Sequence, residues 1–411
     1  MDDEGIVITG LGAITPLGND WKDTWAALVT GRSGVASITH FDASAFPTTI
    51  AAEVKGFHPD DHFDVKELNR SSRTSQLAVV AAREAVADAG LDPRLDELDA
   101  GVVLNCAVSG FAEIQNATEV LHAEGLRRVS PTFVAASIAN MPACEVAIHL
   151  GAHGPVNASA LACASGLYAL VQASALLRNG EADVMIAGGA DAAITPTMFA
   201  GLSAMRALSR NNSDPAGASR PFDADRDGFV FGEGAVVFVL ERKAHARARG
   251  ARIYAEILGG ALTCDAFHIV APERSGTWAA RAISRALEKS RLDPASVDYV
   301  CAHGTSTRAN DRMETVAIKR ALGDVATRVP VSAPKSMTGH LIGAAGALGG
   351  LVCALSIHEG VIPPTINYRT PDPECNLDYV PGDAREQHVR HAITNAFGFG
   401  GQNCVAVFGA A

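Results

Sequence analysis

Pro155-Val156-Asn157-Ala158-Ser159-Ala160-Leu161 reads as a buried strand, and Ala164-Ser165-Gly166-Leu167 opens a helix of small and apolar residues that continues to residue 178. Cys163 falls at the corner between them. A strand that breaks sharply into a buried helix is a building unit of an α/β fold, and the corner residue is exposed at the helix N-terminus, where positive backbone potential favours a thiolate. A second stretch has the same plan. Lys335-Ser336-Met337-Thr338-Gly339-His340 leads into 341–358, again rich in small residues and apolar nearly all round, which places that helix inside the molecule. A further correspondence lies outside these stretches. Residues 81–90 read as a helix and lead through Leu91-Asp92-Pro93 into the strand Gly101-Val102-Val103-Leu104; residues 282–290 lead through Leu292-Asp293-Pro294 into Asp298-Tyr299-Val300-Cys301. The pattern predicts an internally duplicated strand–helix–strand chain with one buried central helix in each half.

Composition agrees with a large, mostly buried body. Of 411 residues 48% are hydrophobic and 19% charged, with 39 glycines for tight turns. The net charge of −11 argues against bulk attraction to nucleic acid or anionic membrane. Eight cysteines, without a Cys-x-x-Cys pair, indicate neither a zinc module nor a secreted disulfide scaffold and fit a reducing cytoplasm. Met1-Asp2-Asp3-Glu4 lacks the cationic start of a signal peptide. The longest apolar stretch, 343–357, is too short and too glycine-rich for a membrane span. The polar stretch 209–217 reads as a surface loop within one continuous body, because strand-like 234–240 and 252–258 follow without a linker.

Two motifs point elsewhere and fail on their neighbours. Asp223-x-Asp225-x-Asp227-Gly228 matches the first half of a calcium loop, but Gly234 stands where the bidentate Glu belongs; a structural salt-bridged turn is the better reading. Gly10-Leu11-Gly12 resembles the start of a dinucleotide fingerprint, yet Thr15 occupies the third glycine position; these read as tight-turn glycines. What remains is Cys163 with His303, in His303-Gly304-Thr305-Ser306-Thr307, and His340. A thiol can carry an acyl group, and two imidazole N–H groups can hold the oxygen of an enolate. No carboxylate or second thiol stands at ligand spacing beside either histidine, which reads against a metal.

With Val7-Ile8-Thr9-Gly10-Leu11-Gly12, Arg220-Pro221-Phe222-Asp223 and Asn395-Ala396-Phe397-Gly398-Phe399-Gly400-Gly401, these motifs make the whole chain resemble the decarboxylating condensing enzymes, specifically β-ketoacyl-acyl carrier protein synthases of the Cys-His-His type and the synthase II branch. The resemblance implies an α/β, thiolase-like fold of two pseudo-duplicated halves, 1–250 carrying the cysteine and 251–411 the histidines, layered α-β-α-β-α in one compact body and paired as a homodimer. It implies that Cys163 accepts the acyl chain, that His303 and His340 support decarboxylation and condensation, and that Lys335 and Glu314, with Asp311 nearby, are their charged support. Thr305 and Thr307 match phosphopantetheine contacts; Phe399 matches the gating aromatic, its N–H forming an oxyanion hole with that of Cys163. Val108, Phe133, Ala193 and Leu202 match an acyl pocket. Arg206, Lys66, Arg127 and Arg128, with Arg70 and Arg73, would form a basic rim for an acidic acyl carrier protein. No bound cofactor is implied.

The resemblance also separates neighbouring families. A thiolase would use a second cysteine as base, and Cys404 reads as a strand thiol; an initiating synthase would pair His with Asn; a chain-length-factor subunit would lack Cys163. Val270 stands where threonine is usual, Arg308 where proline is usual, and Gln402 where threonine is common. These departures keep a type II polyketide ketosynthase as the alternative to fatty acid elongation.

Overall fold

The computed structural model describes residues 5–411, so the acidic segment Met1–Glu4 lies outside the described residues. A ten-stranded sheet runs through it, and its order shows the duplication directly. The first half contributes β1 (Ile6–Ile14), β2 (Ala100–Asn105), β3 (Val156–Asn157), β4 (Val184–Asp191) and β5 (Gly234–Arg242). The second contributes β6 (Ala255–Cys264), β7 (Tyr299–Cys301), β8 (Val331–Ser332), β9 (His391–Gly398) and β10 (Gln402–Gly409). The order is β8-β7-β9-β10-β6-β1-β5-β4-β2-β3. Each half therefore reads first-fifth-fourth-second-third outward from the centre. The directions match as well: the first two pairings in each half are antiparallel and the outer two parallel. The halves join where Val7 and Ile8 of β1 pair with Glu256 and Ala255 of β6.

Five layers follow from which face each helix buries. Helices α1 (Arg73–Asp88) and α2 (Met141–Leu150) share an apolar core with the outer face of the first half-sheet, and α4 (Thr277–Ser290) and α5 (Arg308–Leu322) share one with the second. Between the inner faces lie α3 (Ser165–Arg178) and α6 (Ala345–Glu359), in a core holding Leu167, Leu170, Leu348, Leu351, Phe238 and Phe408. Every residue of α6 from Ala345 to Ser356 is buried, which is why the sequence there has no polar face. Residues Ile342–Glu359 are long and apolar enough to span a membrane, but 83% of that stretch is buried inside the protein. Small residues set the spacing of this layer: a Cβ at Gly166 would lie 2.6 Å from the Gly343 carbonyl, and one at Gly346 would lie 2.8 Å from Leu167 N.

Both central helices begin in the same way. A 3₁₀ turn at Ala162–Ala164 precedes α3 and another at Ile342–Ala344 precedes α6, each opening on a non-glycine residue with positive φ, +47° at Ala162 and +54° at Ile342. Such backbone is costly and persists where surrounding structure fixes it.

Two expectations are corrected, and a third, the salt-bridged turn, is refined. The segment 155–161 is not a buried strand; only Val156–Asn157 joins the sheet, at its edge, and Val156 is exposed. Its small and apolar composition mimics a core strand, but it has a ladder partner on one side alone among the described residues. Gly10 and Gly12 are not turn glycines. They lie inside β1, where a Cβ would meet Ala85 O at 2.1 Å and Ala81 O at 1.9 Å, so they admit α1 against the strand. The Asp223–Asp227 motif is a turn held chiefly by hydrogen bonds to backbone: Asp223 accepts N–H bonds from Asp225, Arg369 and Thr370, Asp227 accepts one from Arg210 N, and Asp225 accepts one from the Thr370 hydroxyl. Arg226 carries the salt bridges, to Asp311 and Asp372.

Candidate active site

The corner before α3 places Cys163 at the bottom of a cavity of about 800 Å³ that His303, His340, Phe399, Thr305 and Thr307 also line. His303 follows β7, whose parallel partner β8 leads to the short helix Lys335–Thr338 and then to His340. The sheet thus brings Cys163 together with histidines that lie 140 or more positions further along the chain. The Cys163 sulfur and one nitrogen from each imidazole all lie within 4.8 Å of one another, and the two rings meet edge to face at 5.5 Å between centroids.

Hydrogen bonds settle the tautomers. Ile342 N–H donates to His340 Nδ1 at 3.1 Å, so the proton of the neutral ring sits on Nε2, which is buried and has no partner. Lys335 Nζ lies 3.3 Å from His303 Nδ1 and donates to the His303 carbonyl at 2.6 Å. An ammonium has no lone pair to offer, so His303 likewise presents Nε2–H. Burial, reinforced by the Lys335 charge, holds both imidazoles well below the usual histidine range. They are neutral donors at physiological pH. Glu314 is fully buried and accepts the backbone N–H groups of His303 and Gly304 at 2.7 and 2.8 Å, with Asn395 Nδ2 at 3.0 Å; it fixes the loop that aims His303.

Cys163 differs from the thiolate expected at a helix N-terminus. Burial pushes its thiol up to about 11, although the Lys335 ammonium and the Phe399 N–H pull it down. The resting group is a thiol. Alkylation of Cys163 by iodoacetamide is therefore expected to keep accelerating through about pH 9, where an ordinary thiol levels off, and to approach its plateau only near pH 11. Rates measured against pH check this, and a plateau near about pH 7 would contradict it.

Gly398 ends β9 directly beneath this corner. A Cβ there would lie 2.8 Å from Leu161 O and 3.3 Å from Cys163 N, so the absence of a side chain lets the Phe399 backbone approach the sulfur. Phe399, Gly400 and Gly401 form the tight link between β9 and β10, with φ of +83° and +75° at the two glycines. Cys404 is buried within β10, away from the cavity lining.

Val108 and Leu202 line the cavity, whereas Ala193 is packed behind it in the same apolar cluster. Phe133, on the short helix Phe133–Ser137, lines no part of it within one chain. Arg206 is at the cavity; Lys66, Arg127 and Arg128 are exposed elsewhere, Arg128 in an ion pair with Glu124. Of the departures, Val270 and Arg308 face the cavity and Gln402 does not.

Sequence reading missed Asp191. Its carboxylate accepts N–H bonds from Ala107, Val108 and Gly343 at 2.8–3.0 Å, tying the first half to the corner before α6; burial nonetheless pushes it up to about 6. Its signal was slight: one acid ending an apolar strand in Gly188-Gly189-Ala190-Asp191. Phe229 and Phe231 also line the cavity, and Phe229 stacks edge to face with His340.

Residues 3–246 match the profile of the beta-ketoacyl synthase N-terminal domain and residues 254–369 that of the C-terminal domain. The chain is 47% identical over 411 residues to the 3-oxoacyl-[acyl-carrier-protein] synthase 2 of Synechocystis sp., covering 99% of this chain and 98% of the relative. It is 46% identical over 404 residues to the enzyme of the same name from Staphylococcus aureus, covering 98% and 97%. Among solved structures, a type II polyketide ketosynthase, in complex with its acyl-carrier protein and bound to the hexaketide, superposes with a TM-score of 0.92 at 33% identity over the full length of both chains.

Proposed function

Because the chain belongs to the β-ketoacyl synthase family, we propose that it is a 3-oxoacyl-acyl carrier protein synthase, joining a Cys163-bound acyl chain to malonyl-carrier protein in fatty acid elongation. The observation that carries this reading is the pair of neutral, buried imidazoles beside the thiol, with the Nε2–H of His340 unpartnered.

In the first half-reaction the Cys163 sulfur attacks the acyl thioester, its proton passes to the departing pantetheine sulfur, and the tetrahedral oxyanion is held by the Cys163 and Phe399 N–H groups. In the second, the bond from malonyl carbon to carboxylate breaks. Carbon dioxide leaves, and the electron pair moves into an enolate whose oxygen accepts from both Nε2–H groups. The enolate carbon then attacks the acyl carbonyl, and collapse expels the Cys163 thiolate, which takes up one proton from solvent. Since carbon dioxide departs in place of a proton, no carbon acid base is required. These steps call for no metal or redox cofactor, and the buried Lys335 ammonium opposes a second cation beside the histidines.

Thr305 and Thr307, whose hydroxyls lie 2.8 Å apart at the cavity wall, contact the pantetheine arm, and Arg206 meets the carrier protein. Val108 and Leu202 bound the acyl chain. Lys66, Arg127 and Arg128 extend the basic surface, and neither membrane nor nucleic acid is a partner. The halves divide at 250/251. A homodimer is supported by the open edge strand Val156–Asn157 and by helix Phe111–Glu124, which buries no residue within one chain although it carries Phe111, Ile114 and Leu121. Val134, Ile138 and Ile148 nearby are exposed as well, and on this reading Phe133 reaches an acyl pocket across the interface. Eight free cysteines fit a reducing cytoplasm.

Incubation with an isotopically labelled acyl-carrier protein is expected to leave the label on the Cys163 peptide and, after malonyl-carrier protein is added, to release it as a β-ketoacyl product two carbons longer. Label on another residue, or none, overturns the assignment. The shape match to a polyketide ketosynthase favours a second reading, in which the same chemistry extends modified chains; product masses across saturated, unsaturated and β-keto donors decide between them. A non-catalytic partner subunit would transfer nothing.

A further inference from the structure

The exposed lip of the active-site cavity carries two guanidinium groups with no counter-ion. Of the cavity-lining residues, Arg206, Asp227, Ala271, Arg308, Ala309 and Phe399 are exposed, and the Asp227 carboxylate accepts the Arg210 N–H and forms no ion pair with either exposed arginine. Arg226 also faces the cavity, but it is fully buried and its charge is committed to Asp311 and Asp372. Arg206 and Arg308 make no ion pair and no side-chain hydrogen bond among the described residues. The less exposed part of the lining offers the Thr305 and Thr307 hydroxyls and the apolar Val270.

The proposed substrates arrive on an arm with a fixed order of groups. The thioester must reach Cys163 at the floor, the amide-bearing chain passes the threonines, and the phosphodiester joins the arm to a carrier protein too large to enter. The phosphodiester is therefore confined to the lip. Its single negative charge and two free oxygens suit a guanidinium, which binds such oxygens in parallel pairs. Val270 has no hydroxyl to supply there.

Resting on the condensing-enzyme reading above, we infer that Arg308 is a specificity residue that recognises the phosphodiester of the carrier arm. An unpaired guanidinium at the lip, in a chain of net charge −11, places attraction for an anion where the arm enters, and Asp227, the exposed carboxylate of the lining, forms no ion pair with it.

Two acyl donors of one chain length test it: acyl-4′-phosphopantetheine and the same thioester lacking the phosphate, acyl-pantetheine. The unmodified enzyme is expected to show a kcat/KM roughly tenfold higher for the phosphorylated donor at low salt, the scale of one charge-assisted contact, carried in KM and shrinking as salt rises. Arg308→Ala and Arg308→Gln are expected to bring that ratio close to one. Arg308→Lys, which keeps a point charge and loses the fork, is expected to fall between. A ratio unchanged in Arg308→Ala and Arg308→Gln, even if both donors react more slowly, overturns the assignment while leaving the condensation reading intact. If the unmodified enzyme acylates Cys163 from neither donor nor from acyl-carrier protein, the condensation reading falls and this assignment with it.

Discussion

Replacing His340 with alanine is expected to lower the rate of malonyl decarboxylation by about 10²–10³, the cost of one preorganised oxyanion donor, roughly 3–4 kcal/mol, while Cys163 still accepts an acyl group. The separation follows from the geometry. In the proposed mechanism acyl transfer to Cys163 uses the N–H groups of Cys163 and Phe399, whereas the Nε2–H of His340, buried and unpaired, is left for the thioester oxygen of the second substrate. Because burial and the Lys335 charge hold the imidazole well below its usual range, its donor capacity does not change across neutral pH. The defect should therefore be equally deep from about pH 6.5, the ordinary histidine value, to about pH 8. His340→Gln, whose amide supplies an N–H, should recover part of the loss. Trapped acyl-enzyme by mass spectrometry and released carbon dioxide separate the two steps; equal loss of both would contradict the division of labour.

Asp311→Ala is expected to destabilise the fold by about 3–5 kcal/mol, the cost of stranding a buried charge. Arg226 is fully buried; its Nε lies 3.1 Å from the Asp311 carboxylate and its NH1 2.8 Å from Asp372. A guanidinium cannot shed its proton to escape burial, so losing Asp311 leaves a charge only partly met by Asp372. The same carboxylate accepts Phe222 N–H at 2.9 Å, at a residue held at φ +66°, and that donor would be orphaned too. Urea unfolding monitors the loss. Pairing the change with Arg226→Met should restore much of it, since the uncompensated charge is then gone; a double variant weaker than either single one would contradict the explanation.

Much of the site was legible because its residues sit in short, compositionally distinct runs. A corner at Cys163, a glycine-flanked Phe399 and helices without a polar face all leave local marks. Other features depend on what packs against them. Gly10 and Gly12 look like turn residues until α1 is seen lying across β1. Val156 and Asn157 look like a core strand, and nothing nearby in sequence says that they end the sheet. Asp191 is joined to Gly343 across 152 residues. The raised Cys163 thiol was hidden for the same reason: the helix N-terminus is a local feature, whereas the burial that outweighs it is contributed by both halves.

The twin corners at 162–164 and 342–344 have unequal futures under mutation. The first holds the sulfur. The second has Gly343 in the corresponding place, where any side chain would meet the Asp191 carboxylate at 2.3 Å and Ala107 N at 2.9 Å. Its amide is the very group that Asp191 grips, so the spare corner has become a keystone. A thiol transplanted there would evict the acid that locks the two copies together, and the molecule is thereby confined to one reactive centre despite its near-symmetric frame.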